Sequence, residues 1–354
     1  MNLRKLTLAT LSIITIVISC NNDDDETYYT VPDRDRTEVY NEDIAKIEEY
    51  LQTHFYNYED FDFSDPYGVA NDDFEIVFDT IAGDNSDKTP LIDQVGYKVA
   101  FSYSDEIAYR LYYLKVREGQ GKELYPTDQA FLDYEGSRLT DGYVFDSTAN
   151  PTLLNLTTVS TTTTGVIDGF RQGLTEFKTA TEVSDNGDGT DAYRGFGIGA
   201  IFIPSGLGYF SSPTTTIPAY SSLIFKIGLK GSVHTDYDFD GVPSYLEDLN
   251  ADDDAYTDDT DGDLVANFID NDDDGDGVLT IDEVEVKSYT EDETMTPFAS
   301  QADAQTYFDN NAEANEYFVS IVESNDGTII TLNTVVLTDS NNDGTPDYLD
   351  SSVN

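Results

Sequence analysis

Apolar residues spaced three and four apart mark one helix early in the chain. Ile44, Ile47, Leu51 and Phe55 recur through 41–55, with Glu42, Asp43, Glu48 and Glu49 between them. Segments 74–80, 95–103 and 108–116 are rich in Val, Ile, Tyr and Phe and are separated by acidic or glycine-containing breaks, which predicts strands. Further strands are predicted over 130–134, 143–145, 153–156, 197–203 and 222–229, around one short helical segment after Gly169 that carries Phe170, Leu174 and Phe177. Beyond these, 302–317 predicts a helix and the alternating stretch 328–337 a strand. Many strands about one short helix give an α+β class, an antiparallel sheet wrapped on that helix. An N-terminal helix and strand segment over 37–107 precedes it, and a C-terminal segment over 284–354 closes the chain.

Composition narrows the chemistry. The 354 residues include 25 Tyr and 19 Phe, enough for cores, so the acidity is not that of a wholly disordered chain. Seventy Asp plus Glu stand against 18 Lys plus Arg, a formal charge of -52. That balance excludes a nucleic-acid binder, which must neutralise phosphates with cationic side chains. Cys20 is the single cysteine, which removes disulfide frameworks and cysteine zinc sites, and the two histidines, His54 and His234, leave little for histidine metal centres. Metal chemistry through oxygen ligands survives.

The start of the chain reads as a signal peptide over 1–19. Arg4 and Lys5 precede an apolar run from Leu6 to Ile18 that is shorter than the ~20 residues needed to span a bilayer. Val17-Ile18-Ser19-Cys20 resembles a bacterial lipobox, which implies cleavage before Cys20 and lipid attachment there; an ordinary secretory signal with an incidental cysteine is the alternative. The polar stretch 20–36 then reads as an acidic tether. Its Asn21-Asn22-Asp23-Asp24-Asp25-Glu26 resembles the tags of surface-displayed lipoproteins of Bacteroidetes-type bacteria, or serves only as a solvated spacer. The implied place is the bacterial envelope, anchored by lipid to a membrane, expected to be the outer one, facing inward or outward.

No nucleophile triad, phosphate loop or paired-acid spacing appears over 108–231. Ordered blocks appear instead: Gly119-Gln120-Gly121; Tyr134-Glu135-Gly136; Asp141-Gly142-Tyr143-Val144-Phe145-Asp146-Ser147; Val166-Ile167-Asp168-Gly169-Phe170; Ile203-Pro204-Ser205-Gly206-Leu207-Gly208-Tyr209; and Ile217-Pro218-Ala219 before Leu223-Ile224-Phe225. In this order they resemble the FKBP family of peptidyl-prolyl isomerases over about 120 residues. The resemblance implies the family's sheet and helix, proline-containing polypeptides as substrates, and no catalytic cofactor. It carries over a pocket of Tyr134, Phe145, Asp146, Val166, Ile167, Phe170, Tyr209, Ile217 and Phe225, with Leu154 a less secure match. Tyr209 would donate to a substrate carbonyl, and Asp146 would orient neighbouring groups or touch the twisted carbonyl. Three departures stand out: Phe170 replaces the Trp of the family's best-known members, Thr-rich 157–164 looks inserted, and 179–194 is longer than usual and is expected to alter access to the pocket.

Acid density peaks between Asp236 and Glu283, where 19 acidic residues occur without a Lys or Arg. Calcium takes about six to eight oxygens, and a loop of about 12 residues offers them at alternating positions with glycine at the sixth. Asp236, Asp238, Asp240 and Glu247 fit with Gly241, and Asp272, Asp274, Asp276 and Glu283 fit with Gly277. Asp339, Asn341, Asp343, Asp347 and Asp350 fit with Asp as the last ligand, and Asp259, Asp261, Asp263 and Asp270 fit without the glycine. Pro243 and the head-to-tail arrangement leave no room for the long helices of an EF-hand sensor. The loops over 232–283 resemble thrombospondin type 3 repeats, which implies structural calcium. The sequence therefore predicts an envelope isomerase that assists protein folding. The alternative is a calcium-stiffened surface or adhesion lipoprotein whose FKBP-like part only binds peptides.

Overall fold

Asp35 accepts a hydrogen bond from the Glu38 N–H and caps helix α1 (Arg36–Thr53), so helix begins where the tether was expected to end. The computed structural model describes residues 32–187 and 189–353. The predicted signal peptide over 1–19, Cys20 and nearly all of the tether lie outside the described residues. Among those described, no helix is long and apolar enough to cross a membrane.

Strands β1 (His54–Tyr56) and β2 (Phe78–Thr80) pair after α1. There follow β3 (Gly96–Ala100), β4 (Tyr109–Arg117), β5 (Gln129–Arg138), β6 (Val144–Asn155), α2 (Asp168–Leu174), the small hairpin β7 (Glu182–Asp185) and β8 (Asp191–Arg194), β9 (Gly197–Ile203) and β10 (Leu223–Val233). Six of these form one antiparallel sheet in the order β3-β4-β9-β10-β5-β6. The class is the α+β expected. Two strands predicted separately over 143–145 and 153–156 are one long β6, whose pairing with β5 slips at two bulges.

Alternation along the strands decides what each face meets. Tyr109, Leu111, Ile201, Ile203, Phe225 and Ile227 point to the face covered by α2, where they pack with Phe170, Leu174 and Phe177. Tyr112, Leu114, Ala200, Phe202 and Ile224 point to the other face and meet Ile47 and Leu51 of α1 together with Tyr56, Phe61, Ile76 and Leu91. Every residue of β9 is buried because both faces are covered. The segment before the middle region is thus the second layer of the sheet, and its last strand, β3, is the sheet's edge. Helix α2 lies close on β9 because Gly169 and Gly173 carry no side chain: a Cβ there would stand 2.5 Å from Ile203 Cγ2 and 2.6 Å from Ile201 Cγ2.

The C-terminal part holds the short helix α3 (Thr280–Glu283), β11 (Val284–Tyr289), α4 (Gln301–Asn311), β12 (Glu316–Glu323) and β13 (Ile330–Leu337), with sheet order β11-β13-β12. The helix expected over 302–317 stops at Asn311. Its last residues, Asn310 and Asn311, favour helix ends, and Glu316 is buried in a strand where its carboxylate accepts from Tyr289 and Thr334 hydroxyls.

Candidate functional site

The pocket is built on a pair of rings. Phe225 on β10 stacks on Phe170 of α2 with centroids 4.4 Å apart, and Phe145 from β6 meets Phe225 edge-on at 5.6 Å. Register explains their closeness. Phe225 lies opposite Gly136, which lies opposite Asp146, and a Cβ on Gly136 would come within 2.7 Å of Phe145 and 2.9 Å of Phe225. The rings occupy the space that glycine leaves.

Around them lies a cavity of about 480 Å³ lined by Tyr134, Phe145, Asp146, Leu154, Val166, Ile167, Phe170, Tyr209, Ile217 and Phe225, with Gly165, Thr214 and Thr216 at its margin. All the pocket residues carried over in the sequence, and the less secure Leu154, converge there. The 182–194 hairpin contributes nothing to this lining. Arg194 instead reaches the opposite layer, donating to Asp72 at 2.7 Å.

Two polar groups face the apolar wall. The Tyr134 hydroxyl donates to Asp146 at 2.7 Å, and burial together with that carboxylate pushes its pKa up to about 12, so it stays a donor. Burial also raises Tyr209, with Asp146 adding to the shift, and among the described residues its hydroxyl has no hydrogen-bond partner. It is a free donor on the aromatic side of the cavity. Such a site can hold an apolar group on stacked aromatics and offer a hydrogen bond to a carbonyl beside it.

Residues that sequence reasoning missed hold the rim. Asp43 of α1 is buried and accepts from Ser205 N (2.8 Å) and Ser205 Oγ (2.5 Å), in the turn leading to Tyr209. Its burial raises its pKa. Arg36 lies 4.0 Å over the Phe210 ring. No local signal ties α1 to a turn so distant in sequence, although an acid among the apolar positions of an amphipathic helix is itself unusual.

The acidic loops form a second kind of site. Carboxylate oxygens of Asp236, Asp238 and Asp240 lie within 4.8 Å of one another, as do those of Asp259, Asp261 and Asp263 and those of Asp272, Asp274 and Asp276. Asp240 and Glu247 are joined by Asp273, a residue the spacing rule passed over, and all three are buried. Glu247 has both carboxylate oxygens buried without a partner, and Asp236, Asp238, Asp240, Asp272, Asp273, Asp274, Asp276 and Glu283 each have one. Burial and mutual repulsion push Asp238 and Asp240 up to about 8 and Asp273 and Glu283 up to about 7, and raise Glu247 as well. Orphaned, repelling carboxylate oxygens at such closeness fit a hard divalent cation. Glu283, Asp270 and the predicted Asp339, Asp343, Asp347 and Asp350 do not join such a cluster. Asn341 Nδ2 donates to Asp350 at 2.8 Å, which satisfies that carboxylate in part.

The family described as BamM C-terminal matches residues 237–317. No curated protein matches the chain. Among solved structures, a peptidyl-prolyl cis-trans isomerase from Pseudomonas syringae pv. tomato is similar at 20% identity, over 34% of this chain and 74% of that one, with a TM-score of 0.27. FkpA from Escherichia coli is similar at 25% identity, over 39% and 51%, with a TM-score of 0.28. The N-terminal domain of FKBP42 from Arabidopsis thaliana is similar at 15% identity, over 34% and 85%, with a TM-score of 0.27.

Proposed function

We propose that this protein is an FKBP-type peptidyl-prolyl cis-trans isomerase of the bacterial envelope, acting on proline-containing polypeptides and stiffened by structural calcium. The observation that carries the reading is the convergence of every carried-over pocket residue on one aromatic-floored cavity.

The chemistry needs no covalent step. Rotation about an X-Pro bond crosses a barrier of roughly 18–20 kcal/mol because amide resonance is lost midway. The twisted amide is less polar than the planar one, so a cavity of Phe145, Phe170 and Phe225 that excludes water favours it relative to the ground state. Tyr209 supplies the free donor for a substrate carbonyl. Asp146, held by Tyr134, fixes the mouth of the cavity and transfers no proton. Calcium would be held by the clustered carboxylates of the acidic loops and would neutralise their repulsion. The lipid anchor on Cys20 and the envelope location belong to the same proposal. Cys20→Ala should abolish partitioning into detergent phase, and unchanged partitioning counts against it.

The test is a protease-free isomerisation assay on the full chain. A lost neutral hydrogen bond is worth about 0.5–1.5 kcal/mol, so Tyr209→Phe should lose no more than about tenfold in kcat/KM. Phe225→Ala opens the floor and should lose more. A wild-type chain that binds proline peptides but gives no acceleration over buffer would leave the peptide-binding surface lipoprotein as the reading.

A further inference from the structure

The four loops recognised by spacing share one backbone form. Their fourth and sixth residues are left-handed: Phe239 and Gly241 (φ 65° and 93°), Gly262 and Leu264 (78° and 80°), Gly275 and Gly277 (68° and 93°), Asn342 and Gly344 (59° and 99°). A fifth stretch does the same without glycine, at Ala251 (54°) and Asp253 (69°), which makes Asp248 its first residue. Its amides repeat the pattern as well. Asp253 N–H donates to Asp248 as Gly241 N–H does to Asp236, and Asp254 N–H donates to Asp252 as Val242 N–H does to Asp240.

The second half of this loop is one residue short. Elsewhere the closing turn runs from the eleventh N–H to the eighth carbonyl, as in Leu246 to Pro243, Ile269 to Ala266, Asp282 to Leu279 and Leu349 to Pro346. Here it runs from Thr257 to Asp254, one position early. The residue equivalent to Glu247 and Glu283 is therefore Asp258. Independently of loop shape, Asp258 is only 8% exposed, and its Oδ2 is buried with no hydrogen-bond partner. Its other oxygen accepts from Asn250 across the loop at 3.5 Å.

We infer that Asp248, Asn250, Asp252 and Asp258 form a further site for a hard divalent cation, closed by the buried Asp258. An all-oxygen donor set with three carboxylates selects calcium-like ions over softer metals. This loop also touches the pocket domain. Asp253 pairs with Lys98 of β3 at 2.5 Å, and Asp254 accepts from the Tyr103 hydroxyl at 2.5 Å. Tyr103 in turn accepts from Arg171 at 3.0 Å, the residue after Phe170 in α2. Tyr256 packs edge-on against Tyr103 at 4.5 Å and donates to Thr158 O in the Thr-rich insertion before Val166. An ion here orders the surface on which the acidic array docks against α2.

The proposal rests on the calcium reading above, and the test separates the two. Full-length chain is dialysed to equilibrium against calcium alone, and bound ions are counted for wild type, Asp258→Asn, Asp252→Asn and the reference Glu247→Gln. Asp252 is exposed, so its substitution leaves the fold intact. The expected result is one ion fewer in Asp258→Asn and in Asp252→Asn, with the remaining ions retained. If Glu247→Gln loses an ion while Asp252→Asn keeps the full complement, this site is overturned and the calcium reading stands. If wild type binds no calcium, both fall.

Discussion

Stripping the ions from the acidic array should make the protein less stable as pH rises, the opposite of ordinary acid denaturation. The sign follows from the buried carboxylates. In the ion-free fold Asp273 titrates near pH 7 and Asp240 near pH 8, whereas an unfolded Asp titrates near ~3.9. Between those values the folded chain holds protons that the unfolded chain has released, so each step up in pH favours unfolding. Asp273 is 2% exposed, so the shift needs no discount for solvent. One such group carried from pH 5 to pH 7 costs about 2 kcal/mol, the slope of ~1.4 kcal/mol per unit easing as pH nears 7, against a typical total of about 5–15 kcal/mol. Asp240 and Glu247 act in the same direction. Calcium displaces the protons and removes the dependence. The assay is thermal unfolding by circular dichroism at pH 5, 6 and 7, with metal-free protein and with roughly millimolar calcium. General repulsion from a charge of -52 has the same sign, so Asp273→Asn is the control: losing that one titration should flatten the metal-free slope by about 1.4 kcal/mol per pH unit. Metal-free protein that is equally stable at pH 5 and 7, or an unchanged slope in Asp273→Asn, would refute the reasoning.

Two substitutions test the pocket's supports. Gly136→Ala places a methyl within 2.7 Å of Phe145 and 2.9 Å of Phe225, and should cost about 1–3 kcal/mol in a denaturant melt while weakening proline-peptide binding; unchanged binding would show that the rings have room. Asp43→Ala strands the Ser205 N–H and hydroxyl and should cost about 1–3 kcal/mol, with Asp43→Asn losing less because an amide oxygen still accepts; equal loss in both would show that the charge itself matters.

What was legible in the sequence was what local periodicity and spacing encode. Apolar runs placed Gly197–Ile203 and the strand bearing Phe225, and three-to-four spacing placed the apolar stripe of α1. The ordered blocks located the pocket because most of its residues sit beside turns whose geometry the glycines advertise. The second layer was not legible. Nothing in the pattern of 74–80 or 95–103 says which sheet a strand joins, and that pairing is set by contacts distant in the chain. The shortened loop escaped for a different reason. Asp253 stands in a left-handed position where glycine is expected, and the closing acid is displaced by one residue, so a fixed spacing rule passes over both. Asp273 escaped because its partners, Asp240 and Glu247, come from another loop.

Both flanks of the middle region contact segments that lead into the pocket. Helix α1 holds the turn before Tyr209 through Asp43 and the segment after it through Arg36 over Phe210, and Arg34, just before the helix, adds an N–H to Tyr220 hydroxyl bond of 3.1 Å. The acidic array holds the stretch before Val166 through Tyr256, and α2 through Tyr103 and Arg171. A fragment cut at residue 108 would lose β3 and expose Tyr112, Leu114, Phe202 and Ile224, which α1 and the segment behind it now cover. Those side chains are apolar and contiguous, and burying each is worth about 1.5–3 kcal/mol for a large aliphatic or aromatic group. The segment before the pocket domain is therefore part of what holds the pocket's shape, and the natural unit for any activity measurement begins at α1.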